Sequence, residues 1–250
     1  MKFGIGPFSM RKQPENPSSH AEIYKQALEQ VKLAEEVNFD SAWIAEHHFL
    51  GDGFCPSPIV TASAMAAVTK RIKIGTCALL LQLHNPVRVA EDASVVDNIS
   101  NGRFILGIGM GYNKEEFDGF GIPMNQRPSR MEEGIDVIVK SWTESNFSYE
   151  GKRYRFSNLN VTPKPAQKPC IPIYIGAVEE PAIRRVGRLG YPLLINPIRT
   201  MQMIRDMINI YNDAAREAGR NPNGTQHILL REVYTLQKIK REQKKKGIDS

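Results

Sequence analysis

The sequence predicts an α/β fold whose parallel sheet curls into a (β/α)8 barrel, incomplete at the C-terminus, with seven strands visible and the eighth missing. Three observations carry this. Short apolar runs alternate with amphipathic helical stretches along the chain. Parallel strands joined by right-handed crossovers close in this way. A polar run, Lys238 to Lys246, stands where the last helix and strand belong. A doubly wound sheet is the alternative arrangement.

Phe3 to Phe8 reads as the first strand. Ala21 to Val37 places Ile23, Ala27, Val31 and Ala34 at helical spacing, and Ser18, Ser19 and Glu22 open it as a capping box. Asp40 to Ala45 is the second strand. A loop rich in Gly and Pro, Gly51 to Pro58, leads to a helix over Ile59 to Val68, a buried strand over Ile72 to Leu81 and a helix over Val87 to Ile99. Strands follow at Phe104 to Ile108, Ile173 to Gly176, Pro192 to Asn196 and near Ile228 to Leu236. Helices lie between them over Ser129 to Trp142, Pro181 to Leu189 and Thr200 to Ala218. Alternating aromatics around Glu150-Gly151 mark a hairpin on the rim, Phe147 to Phe156. The domain reading is one barrel over 1–237 followed by a basic polar tail over 238–250.

With 250 residues and 41% hydrophobic content, the chain can bury one substantial core. Its formal charge of +6 is uneven: Lys238, Lys240, Arg241, Lys244, Lys245 and Lys246, against Glu242 and Asp249, give the tail +4 and leave +2 for the body. A nearly neutral body argues against a nucleic-acid or membrane surface. Cys55, Cys77 and Cys170 are odd in number and without CxxC spacing, which argues against disulfides and zinc and for a reducing, cytoplasmic setting. No apolar stretch approaches membrane-spanning length.

Glu46, His47 and His48 follow the second strand, on the face where parallel α/β sheets carry their sites. Side chains alternate along a strand, so one imidazole enters a given pocket while its neighbour packs outside, and the pair is poor evidence for a metal. Loop rigidity through Glu46 is the structural alternative to catalysis. Gly107-Ile-Gly109-Met-Gly111 lacks the spacing of a dinucleotide fingerprint, yet fits either close approach of a flat ligand or a tight turn. Gly75-Thr76-Cys77-Ala78 ends a strand with small residues. Arg88 is assigned to pairing with Glu91 and Asp92 on its own helix. Gly176 and Ala177, before a helix start, are an anion site only if Glu179 and Glu180 point away. Arg130 supplies a positive charge there, or pairs with Glu132 or Glu133.

Read together, Phe39 to Phe49, Gly75 to Ala78, Asn85 to Asp92 and Ser100 to Gly109 resemble the bacterial luciferase-like flavin monooxygenases, in register from Met1-Lys2-Phe3-Gly4 to about Glu232-Val233-Tyr234. The resemblance implies a TIM barrel, reduced FMN supplied by a separate flavin reductase, molecular oxygen as co-substrate, and an aldehyde or similar small molecule as substrate. It implies a homodimer. His47 matches the family's active-site histidine, His48 its neighbour, and Glu46 is expected to orient His47. The bond matching Cys77 to Ala78 is a non-proline cis peptide in the family, and is expected here. Gly109 and Met110 should line the flavin, and Arg130 should reach its phosphate. Two departures, Met110 in place of an arginine and Val178, Glu179 and Ala182 in place of hydroxyl-bearing ligands, imply either a weaker phosphate grip or one supplied by Arg130 and amides near Gly176. An imidazole, which titrates near neutral pH, suits His47 as general base or proton holder. The loop at 51–53 and the segment Asn113 to Pro128 are candidate lids. A flavin-binding relative without turnover and an F420-dependent oxidoreductase are the alternatives.

Overall fold

The computed structural model describes residues 1–231. Seven strands form one parallel sheet: β1 (Gly4–Phe8), β2 (Ser41–Ile44), β3 (Lys73–Thr76), β4 (Phe104–Ile108), β7 (Ile173–Gly176), β8 (Leu193–Ile195) and β9 (Ile228–Leu229). They neighbour one another in chain order, with no reversal point. That order excludes the doubly wound alternative, which needs a switch in strand order. It is the order of a (β/α) barrel, and among the described residues the outer edges of β1 and β9 carry no further strand. The tail 238–250 and the far part of the expected last strand lie outside the described residues.

The helices are α1 (His20–Glu36), α2 (Pro58–Val68), α3 (Pro86–Ile99), α4 (Lys114–Gly119), α5 (Arg127–Thr143), α6 (Glu180–Leu189) and α7 (Met201–Glu217). The capping box opens α1 as expected: Ser19 Oγ accepts the Glu22 N–H and the Glu22 carboxylate accepts the Ser19 N–H at 2.6 Å. Asn85 and Thr200 cap α3 and α7 by accepting the N–H groups of Val87 and Met203, and Gly190, at φ +80°, ends α6 in the left-handed region.

The two faces of the sheet differ. Ala42, Ile44, Ile74, Phe104, Leu106, Ile108, Ile173 and Ile175 pack against Val31, Ala34, Met65, Ala93 and Ile138 of the helices in one continuous core. On the opposite face, bulky side chains alternate with glycines on neighbouring strands: Trp43 opposite Gly75, Tyr174 opposite Gly107, Leu194 opposite Gly176. A Cβ on Gly75 would lie 2.3 Å from the Trp43 ring and one on Gly107 against the Thr76 carbonyl, so at these two positions the inner face packs only because no side chain is present.

One expectation is corrected. The strand expected over Ile72 to Leu81 ends at Thr76; the chain then passes the cis Cys77–Ala78 peptide and a single 3-10 turn, Leu81–Leu83. Periodicity cannot separate an apolar strand from the apolar turn that continues it. The candidate lid segment Asn113 to Pro128 contains α4, too short to show a helical period, whose Phe117 packs on Leu80 and Leu83. The rim hairpin is β5 (Phe147–Glu150) with β6 (Arg155–Leu159), and the Glu133 carboxylate of α5 holds its turn by accepting the N–H groups of Lys152, Arg153 and Tyr154.

Candidate active site at the C-terminal end of the sheet

Because the seven strands run in parallel, the residues that follow them come out at one end. Glu46, His47 and His48 follow β2, Cys77 and Ala78 follow β3, Gly109 and Met110 follow β4, and Gly176 and Ala177 close β7. The structure thus gathers residues spread over more than half the chain, and the Cys77–Ala78 peptide among them is cis. Arg130 projects from the first turn of α5.

The two histidines part as strand geometry requires. His48 is buried at 6% exposure, whereas the His47 side chain keeps 22%. His47 Nδ1 lies 2.8 Å from Glu116 Oε1 on α4, and the same oxygen accepts the backbone N–H of His48 at 2.9 Å. An oxygen that already accepts one N–H is an acceptor for the second, so Nδ1 of His47 carries a proton, and in the neutral ring Nε2 then offers its lone pair. Phe54 and Tyr112 meet the His47 ring edge-on, with centroids 4.7 and 5.7 Å away. Glu116 is fully buried, and its Oε2 has no partner among the described residues.

Glu46 does not orient His47, contrary to expectation. Its Oε1 accepts from His48 Nε2 at 2.8 Å and His84 Nε2 at 2.7 Å, and its Oε2 from the Leu80 N–H at 2.5 Å. Burial alone would raise this carboxyl, but the bonds from His48, His84 and Leu80 outweigh it and hold the group below the ordinary carboxylate range. Sequence reasoning missed Glu116 and His84. Glu116 stands in the charged run Lys114 to Asp118 and His84 beside a proline-led helix, and neither context marks a buried partner in the sequence.

The loop after β3 is stitched to both sides. The Cys77 N–H donates to Ile44 O at 2.6 Å, the Leu79 N–H to Gly107 O at 2.8 Å, and the Gly109 N–H to Leu79 O at 2.8 Å. A Cβ on Gly109 would come within 3.0 Å of the Ala78 Cβ. Burial pushes the Cys77 thiol up to about 12, so it stays protonated at neutral pH. Arg130 Nε donates to Gln82 O at 3.1 Å and its guanidinium lies 5.2 Å from the Tyr154 ring centroid, while no carboxylate pairs with it among the described residues. The expected alternatives are occupied elsewhere: Glu132 pairs with Arg185, and Glu133 holds the hairpin turn. Arg88 pairs with Asp92 at 2.8 Å, as assigned, and Glu180 pairs with Arg184 at 2.9 Å. Two shallow hollows, between the hairpin strands and along α1, are lined by residues of neither group.

Comparison with known proteins agrees with this geometry. The family described as luciferase-like monooxygenase matches residues 1–241. The alkanal monooxygenase alpha chain of Photorhabdus laumondii subsp. laumondii is 30% identical over 229 residues, covering 92% of this chain and 63% of its own. The crystal structure of monooxygenase RslO1 from Streptomyces bottropensis superposes with a TM-score of 0.81 at 29% identity, over 89% of this chain and 68% of that one. The oxygenating constituent of 3,6-diketocamphane monooxygenase from Pseudomonas putida, solved in complex with FMN, shares the fold with a TM-score of 0.76 at 22% identity, over 89% and 63%. The chain spans about 62–63% of the length of the curated relatives it matches first. No helix among the described residues is long and apolar enough to cross a membrane.

Proposed function

We propose that this chain, which belongs to the luciferase-like monooxygenase family, binds reduced FMN at the C-terminal end of its sheet and uses molecular oxygen to oxidise a small organic substrate such as an aldehyde. The observation that carries the reading is the half-open His47, whose Nδ1 is tied to the buried Glu116 and whose Nε2 is left to take or return a proton. When bound, reduced FMN supplies the two electrons with which one oxygen atom goes to the product and the other to water.

The residues present fit such a group. Glycine at 109 leaves open the space beside Ala78 that a side chain would fill, and Arg130, whose terminal nitrogens donate to no group among the described residues, can offer them to an anion such as a phosphate. The backbone around Gly176 and Ala177 and the side chain of Met110 complete the set of residues that would hold it. Cys77, kept as a neutral thiol, adds neither charge nor a nucleophile. His47 holds the proton at Nδ1 and, as a neutral ring, accepts at Nε2, and Phe54 and Tyr112 restrict its ring by edge-on contact. A separate reductase that supplies the reduced flavin, and a second copy of the chain, belong to the same proposal.

The test is an anaerobic titration with reduced FMN and, separately, reduced F420, followed by oxygen uptake with a long-chain aldehyde. Saturable FMN binding with aldehyde-dependent uptake supports the reading. Binding of F420 alone, or FMN binding with no uptake, contradicts it.

A further inference from the structure

We infer that His84 is a positioning residue, which with His48 closes a hydrogen-bonded clasp on the buried carboxylate of Glu46 and so fixes the segment between β3 and α3 against the end of β2. The near end of that segment is held by backbone bonds from Cys77 to Ile44 and between Leu79 and the strand β4. Beyond Leu80 the chain turns through Leu81–Leu83, and His84 is the last residue before the Asn85 cap of α3. The bond from His84 Nε2 to Glu46 Oε1, 2.7 Å, ties down this far end. The Leu80 N–H on Oε2 and His48 on Oε1 place three parts of the site on one side chain, itself 2% exposed.

The chemistry fixes the rings as well. An ionised carboxylate only accepts, so both imidazoles must present Nε2–H to it, and each neutral ring then leaves Nδ1 without a proton. The same three side chains have the composition of a metal site, with one ligand atom from each lying within 4.8 Å of the others. Their spacing speaks for protons instead. A tetrahedral ion about 2.0–2.1 Å from each ligand would hold the atoms roughly 3.3 Å apart, whereas both imidazole nitrogens lie at hydrogen-bond distance, 2.7 and 2.8 Å, from one oxygen. The consequence for the cofactor rests on the function proposed above: the clasped segment carries Cys77 and Ala78, so loosening it weakens flavin binding.

The test has a readout that needs no cofactor. Imidazole 15N spectra of the unliganded protein at pH 8 should show His48 and His84 as Nε2–H tautomers, and His47 as the Nδ1–H tautomer. His84→Gln keeps a donor and should bind reduced FMN within about twofold of the parent. His84→Leu removes the donor and should weaken FMN binding about tenfold, the size of one lost hydrogen bond to a charged group. An Nδ1–H tautomer at His84 overturns the clasp, as does equal FMN affinity in the Leu and Gln variants. Stoichiometric Co(II) binding to the parent that the Gln variant loses overturns it in favour of a metal site. Should the parent bind no FMN, the function above fails, and the tautomers still decide the clasp.

Discussion

Glu116 Oε1 sits 2.8 Å from His47 Nδ1, so a carboxylate on the six-residue helix α4 fixes the ring of a residue 69 positions away in the chain. The helix is itself locked, because its next residue, Phe117, is buried against Leu80 and Leu83. His47 and the loop after β3 therefore share one support.

Replacing Glu116 by Ala should lower oxygenation about a hundredfold while reduced FMN binds within a few-fold of the parent, since the ring loses its tautomer and orientation rather than its chemistry. Glu116→Gln, which can still accept at one oxygen, should fall between the two. Oxygen uptake and FMN titration on the three proteins measure this.

The two adjacent histidines should separate by phenotype. His47→Ala is expected to lower turnover by roughly 10²–10⁴-fold with little change in stability. His48→Ala leaves the buried Glu46 short of one bond and should cost roughly 1–3 kcal/mol of stability, read from urea unfolding.

Cys77 should resist alkylation. Its thiol titrates near 12 because burial disfavours the thiolate, so iodoacetamide at pH 8 should modify it far more slowly than a free cysteine peptide. Mapping of the labelled peptide reads this directly.

Gly107 and Gly176 occupy the same inner face but differ in room. A Cβ at Gly107 would lie 1.9 Å from the Thr76 carbonyl oxygen, which is backbone and cannot step aside, whereas at Gly176 the nearest atom is 3.5 Å away. Gly107→Ala should destabilise by about 3 kcal/mol or more, and Gly176→Ala by less than about 1. Thermal unfolding of the pair tests the packing.

Acid should loosen the sheet at β8. His227 Nδ1 accepts the Leu193 N–H at 2.9 Å, and burial lowers this histidine below its ordinary value. A depressed folded-state value means that the contribution is present above about pH 6.5 and is lost as pH falls through the folded value. Stability of the parent should drop across that range, and His227→Gln should remove that part of the pH dependence.

The alternation of strands and helices, the capping box at Ser19 and Glu22 and the rim hairpin were legible because period, cap and turn chemistry are local signals, whereas the roles of Cys77, Ala78, Gly109, Met110 and Arg130 came from family resemblance. The cis Cys77–Ala78 peptide was reached only through family resemblance. What stayed hidden is long-range pairing: Glu116 with His47, and His84 with Glu46. A buried carboxylate and a solvated one are the same letter, and Glu116 faces inward beside the packed Phe117 with partners 68 and 69 positions away in the chain. The helix α4 was hidden for a related reason, since six residues do not complete two turns.

The most direct measurement is isotope tracing with 18O2, reduced FMN and a long-chain aldehyde. One labelled oxygen atom in the carboxylic acid product, lost in His47→Ala, is the predicted result. Unlabelled acid, or full recovery of the label as hydrogen peroxide and water with the aldehyde unchanged, would contradict a monooxygenase.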